Sequence, residues 1–87
     1  MPDVLAKQRE FVQIADLALK LRDVEGDWET KFNLVFNVFK PALTDTGVAV
    51  EWHDPDMGYE DDARAYLAGV QAEYDKLKPI LESLGQI

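Results

Sequence analysis

The chain has 87 residues, with 17 acids against nine Lys plus Arg, one His and no Cys, giving a net charge of −8. This length allows one domain, 1–87, and 47% hydrophobic residues are enough to build its core, which excludes a fully disordered chain, while the missing cysteine excludes a disulfide framework, a zinc ribbon and a thiol nucleophile. No apolar run reaches the roughly 18 residues of a membrane span, and Met1–Glu10 lacks a secretory signal's basic-then-apolar order, so a cytoplasmic domain without membrane contact is expected.

The first expected element is a helix over about 3–24, capped by Asp3. Phe11, Ile14, Ala18 and Leu21 recur at helical spacing, joined by Leu17 and Val24, and Arg9, Gln13, Asp16, Lys20 and Asp23 form the opposite polar stripe. Val12 and Leu19 widen the apolar side, which predicts two packing neighbours. Gly26 ends the helix.

Asp27 reads as a second N-cap, opening a helix over about 28–44. Trp28, Phe32, Val35, Phe36, Phe39 and Leu43 share one face, and Asn33, Asn37, Lys40 and Thr44 are the polar counterpart. The alternative is an α+β fold, with a hairpin from about 31–40 and 48–52, because Phe32–Phe39 is rich in β-formers. The helix is preferred because alternation breaks at Val35 and Phe39. Pro41 predicts a kink or a fresh short helix, and Thr46-Gly47 a stop with Gly47 at positive φ. Val48–Trp52 should then be extended or a brief strand, and His53–Gly58 a loop.

The last helix, about 60–84, carries a heptad seam of Ala63, Leu67, Val70, Tyr74, Leu77, Leu81 and Leu84. Pro79 predicts a kink near its end and Gly85 its closure. The expected fold is therefore mainly α: a small antiparallel three-helix bundle with an acidic, partly extended connection between helices 2 and 3. Its expected core is Phe11, Ile14, Leu21, Phe32, Phe36, Phe39, Leu67, Val70, Leu77 and Leu81.

Charge is the main functional signal. Residues 44–62 hold Asp45, Glu51, Asp54, Asp56, Glu60, Asp61 and Asp62 and no base, so this segment carries nearly the whole net charge of −8. Such a concentration adds its field within a Debye length of about 8–10 Å. It points to a small non-catalytic binding module, an inhibitor whose acids imitate a phosphate backbone and dock on a basic, nucleic-acid-binding type of surface on another protein, without contacting nucleic acid directly. The candidate partner-binding residues are Glu51, Trp52, Asp54, Asp56, Tyr59, Glu60, Asp61 and Asp62. Trp52 and Tyr59 either anchor that interface or fold inward and pin the loop.

Two other readings compete. The heptad seam could pair helices in a homodimer or larger assembly, leaving the acids to serve solubility. Alternatively, His53 and nearby carboxylates could serve a small enzyme or ion-binding protein. An EF-hand register fails: Gly58 at the glycine position puts His53, Pro55 and Met57 at ligand positions, and starting at Asp54 puts Tyr59 at the glycine. Ser83 is the single serine, far along the chain from His53, so no nucleophile accompanies it. No catalytic residue, cofactor or metal is expected.

Overall fold

The computed structural model describes residues 3–87. Carboxylates set two helix starts, because the first backbone N–H groups of a helix lack intrahelical acceptors. Asp3 accepts from the Ala6 N–H at 3.0 Å and opens α1 (Val4–Lys20). Asp27 accepts from the Thr30 N–H at 2.8 Å and opens α2 (Trp28–Leu34). The first helix ends at Lys20 rather than near residue 24. Leu21, Arg22 and Asp23 donate to the carbonyls of Ala18, Leu19 and Lys20 at 3.1, 3.3 and 3.1 Å, three residues back, tightening the chain toward Gly26 at φ 144°.

The second rod is helical from Trp28 to Asp45, but one turn within it is wider. A π-helical turn, Val35–Phe39, joins α2 to α3 (Lys40–Asp45), and the Lys40 N–H reaches the Val35 carbonyl. Pro41, which has no N–H to donate, then falls in the first turn of α3, where none is needed. The rod thus stays helical through Pro41, directly after the wider turn. The hairpin alternative is overturned: no described residue lies in a strand, and 48–52 lies in no helix or strand.

The long helix α4 (Tyr59–Ser83) carries the packing. At 1.5 Å per residue its 25 residues account for most of the 39 Å long axis. Both α1 and α2 pack on it, and α1 also meets the π turn and α3. The contacts of Arg9 with Gln86 (3.0 Å), Tyr74 with Asp16 (3.3 Å) and Arg22 with Gln71 (2.6 Å) run in opposite chain directions, so α1 and α4 are antiparallel. Gly85, at φ 72°, closes the end while the Gln86 N–H donates back to the Leu81 carbonyl at 2.8 Å. Pro79 stays within α4 on its exposed side.

The core is shifted from the expected one. Phe11, Leu67, Val70 and Leu81 are fully buried, but so are Ala15, Ala18, Val35, Leu43 and Ala63. Small Ala15 and Ala18 let neighbouring elements approach α1 closely, so its buried face centres there. Ile14 and Leu21 are half-buried as a result, and Leu17 and Val24 are exposed. Phe32, Phe36, Phe39 and Leu77 are also half-buried, which corrects their assignment to the centre of the core. Phe32 and Phe36 flank the Val35–Leu43 stripe and pack against aromatic rings of the connection and α4. The heptad seam is used within the chain from Ala63 to Leu81, and only Leu84 is exposed.

One glycine fixes how the connection lies. Gly69 is buried in the middle of α4, and a Cβ built there would collide with the Glu51 carbonyl and come within 3.0 Å of Val50 Cγ1 and 3.1 Å of Trp52 Cβ. Gly69→Ala gains up to about 1 kcal/mol of helix propensity, but pushing the backbone at 50–52 away costs about 1–3 kcal/mol. The expected outcome is a lower urea midpoint with a red-shifted Trp52 emission. A raised midpoint would show that the close approach carries no stability.

Candidate functional site

The connection from α3 to α4 is a strap across the bundle. Its start is anchored by buried Thr46, whose Oγ1 donates to the Leu43 carbonyl at 2.6 Å and accepts from the Val48 N–H at 3.4 Å. Gly47, at φ 81°, turns the chain out of α3. Val48, Val50 and Trp52 then face the bundle half-buried, while Ala49, Glu51 and His53 are exposed. That period of two is what an extended chain with one face on a surface produces.

The surface beneath the strap is aromatic. Trp52 lies 5.5 Å from Phe36 and 5.3 Å from Tyr66, edge-on to the latter at 87°, and Phe36 lies 5.6 Å from Tyr66. Phe32 extends the group, 4.6 Å from Phe36 and 5.2 Å from Tyr59. Edge-on and tilted contacts at these spacings are the favoured geometries of aromatic pairs. Of the two readings for the flanking aromatics, Trp52 folds inward, and Tyr59 packs one edge on Phe32 while staying 49% exposed.

The nearby cations are engaged by this platform and its surroundings. Lys31, 6% exposed, donates to the Val24 carbonyl and lies 4.6 Å from the Trp28 ring. The Arg64 guanidinium lies 4.5 Å from the same ring and donates to Glu60 at 2.8 Å. The Lys40 ammonium lies over Phe36, Trp52 and Tyr66 at 5.6, 5.3 and 6.0 Å. Rings attract cations through their negative faces, so each base has a partner other than the strap's free acids.

The acids are held apart from one another in role. Asp54 accepts from the Asp56 N–H at 2.8 Å, bending the loop so that Asp56 takes φ 51°. Asp62 reaches back to accept from the Met57 N–H at 3.1 Å, which fixes the entry to α4 in place of a side-chain cap at Gly58. Glu60 is tied to Arg64. Among the described residues, Glu51, Asp56 and Asp61 are exposed with no ion pair and no side-chain hydrogen bond, and Asp54 and Asp62 have no ion pair either. His53 is exposed beside an open cleft of about 630 Å³ lined by Val50, Glu51, Trp52 and itself. Among the described residues, no group of His, Asp and Glu is arranged to hold a metal ion, and no helix is long and apolar enough to cross a membrane.

Comparison with known protein families, curated proteins and solved structures finds no match to this chain. The residues that sequence reasoning missed are Lys40, Tyr66, Arg64 and Gly69. Gly69 alone left a local signal, since a glycine inside a regular helix is disfavoured by about 1 kcal/mol unless packing requires it.

Titration gives the platform a measurable signature. Burial pushes the Tyr66 hydroxyl up to about 12. The folded state therefore favours neutral Tyr66, and that contribution is present below pH about 10 and lost as pH rises toward about 12. At the acid end, the Thr30 N–H and hydroxyl hold the Asp27 carboxyl below its ordinary value, and a hydrogen bond with Lys20 does the same for Asp16. Their contribution is present above the ordinary carboxylate range and lost as pH falls below it. In urea melts across pH, Tyr66→Phe should flatten the alkaline decline and leave the acid decline unchanged. An alkaline limb that is the same in both proteins would contradict burial of Tyr66 as its origin.

Proposed function

We propose that this chain is a non-catalytic protein-binding module that docks the acidic edge from Glu51 to Asp62 on a basic surface of another protein, of the kind that otherwise holds a nucleic-acid backbone. One observation carries the reading. Lys31, Lys40 and Arg64 are engaged by aromatic rings, a backbone carbonyl and Glu60, and among the described residues Glu51, Asp54, Asp56, Asp61 and Asp62 form no ion pair. Unpaired like charges on one segment repel, and a basic partner offsets that repulsion while gaining charge-assisted hydrogen bonds. Glu51 beside packed Trp52, and Asp61 and Asp62 in the first turn of α4, are held by the fold, which lowers the ordering that binding requires. Inhibition follows from occupancy alone: a groove filled by this edge is closed to a phosphate backbone. The heptad seam, buried within the chain over most of its length, offers little to a second copy.

The test uses a lysine octapeptide as the basic probe. Glu51→Gln, Asp56→Asn and Asp61→Asn together remove three unpaired charges, and Asn suits the positive φ at position 56. A control variant, Asp23→Asn with Glu25→Gln and Glu29→Gln, changes the net charge equally from outside the strap. The strap variant should keep its helical circular dichroism and lose about tenfold in affinity, mainly through a slower association rate that falls further with salt. Equal losses in strap and control variants would reduce the reading to net charge and reject a localised edge.

A further inference from the structure

We propose that Phe36, Trp52 and Tyr66 form a lysine-recognition box, which Lys40 fills in the free chain and which a lysine of the basic partner takes over in the complex. The proposal rests on the acidic edge as the docking surface and names the contact that would make the docking selective. Three elements converge to build the box: the π turn supplies Phe36, the strap Trp52 and α4 Tyr66. Trp52 and Tyr66 stand at 87° to one another, Phe36 is tilted by 43° and 48° to them, and the three centroids lie 5.3–5.6 Å apart, so an ammonium sits over the contiguous cluster within reach of all three rings.

The Lys40 ammonium shows which chemistry the box accepts. It lies 5.3–6.0 Å from all three ring centroids, and among the described residues it makes no ion pair and no hydrogen bond. Its chain neighbours over residues 44–62 include seven carboxylates, yet the rings hold it. Among the described residues the Lys40 ammonium therefore has no hydrogen bond or ion pair to give up on leaving the rings. Trp52 also lines the open cleft of about 630 Å³ on the strap, together with exposed Glu51 and His53. The unpaired carboxylates along the strap suit a polycationic protein surface better than a single small cation, because several charges would be met at once.

Two probes separate the box from the edge. The first is tetramethylammonium chloride against sodium chloride at equal ionic strength, followed by NMR of the Phe36, Trp52 and Tyr66 ring signals. Lys40→Ala empties the box and keeps a strong helix former in α3. Arg64→Gln removes a cation beside the acids without emptying the box. If the resident lysine leaves the box open about a fifth of the time, its removal raises apparent affinity about fivefold. The expected result is saturable ring shifts in Lys40→Ala, about fivefold weaker binding in the native chain and in Arg64→Gln, and no shift of the Trp28 indole. No saturable shift in folded Lys40→Ala, or equal binding in native and variant, overturns the proposal.

The second probe is the lysine octapeptide with the native chain. Salt-dependent binding that moves the three ring signals supports the box. Salt-dependent binding that leaves them unmoved overturns the box and keeps the acidic edge. No binding of the peptide, even with tetramethylammonium filling the box, rejects both the edge and the partner's lysine as occupant.

Discussion

Gly69 sits where the Cβ of any other residue would meet the Glu51 carbonyl, so the middle of α4 and the chain at 50–52 lie in backbone contact. The arrangement of the acidic edge depends on that contact. With the strap this close, Val50 and Trp52 turn inward, and the alternation of an extended chain turns Glu51 and His53 outward. The Trp52 ring then reaches Tyr66, one turn of helix from Gly69 on α4, and Phe36 on the neighbouring rod. A side chain at position 69 would lift the strap and separate these rings. A glycine that is unfavourable for the helix by itself is thus favourable for the tertiary structure that covers it.

The same packing determines the electrostatics. Rings bury large areas and also offer negative faces, so Lys31, Lys40 and Arg64 are drawn to the aromatic side of the strap. Glu60 alone among the acids of the loop and first helical turn keeps a cation, through Arg64. Elsewhere the balance is local: Lys7 with Glu10, Lys20 with Asp16 and Lys76 with Glu73 pair along their own helices. Short-range pairing on α1 and α4 contrasts with the ring-held cations near the strap, and among the described residues Glu51, Asp54, Asp56, Asp61 and Asp62 are left without ion pairs.

Much of the architecture was legible in the sequence because it is governed by local rules. Asp3 and Asp27 cap their helices, Gly47 and Gly85 adopt positive φ, and the heptad from Ala63 to Leu81 faces inward. The helix at 28–44 was separable from a hairpin because alternation breaks at Val35 and Phe39, and Val35 is buried between exposed Asn33 and Asn37, which a strand would put on one face. What was not legible depends on contacts distant in sequence. Helical spacing placed Phe32, Phe36 and Phe39 on an apolar face, but it could not say that Phe36 would meet Trp52 of the strap and Phe32 Tyr59 of α4 in place of the bundle centre. For the candidate site, the exposed acids followed from charge, whereas the inward turn of Trp52 needed Gly69 and Tyr66 opposite it. Lys40, read as part of a polar stripe, has its surroundings set by three separate elements.

The strap also differs from the helices in what holds it. Among the described residues, no backbone-to-backbone hydrogen bond involves positions 49–55, so the segment is fixed by Val50 and Trp52 packing and by the turns at its ends. Backbone groups in such a segment exchange with water and open at lower free energy than those in a helix ladder. The acidic edge therefore combines two properties that conflict in most surfaces. Trp52 packing places Glu51 and α4 places Asp61 and Asp62, while the exposed loop that carries Asp54 and Asp56 can shift by small amounts without breaking a hydrogen-bond ladder. For docking on a basic groove, where contact geometry varies between lysines and arginines, that combination favours close fit with little ordering. Asp61 and Asp62 stand in the first turn of α4, so the edge joins two carboxylates at helical spacing to Glu51, Asp54 and Asp56 on the adjustable segment.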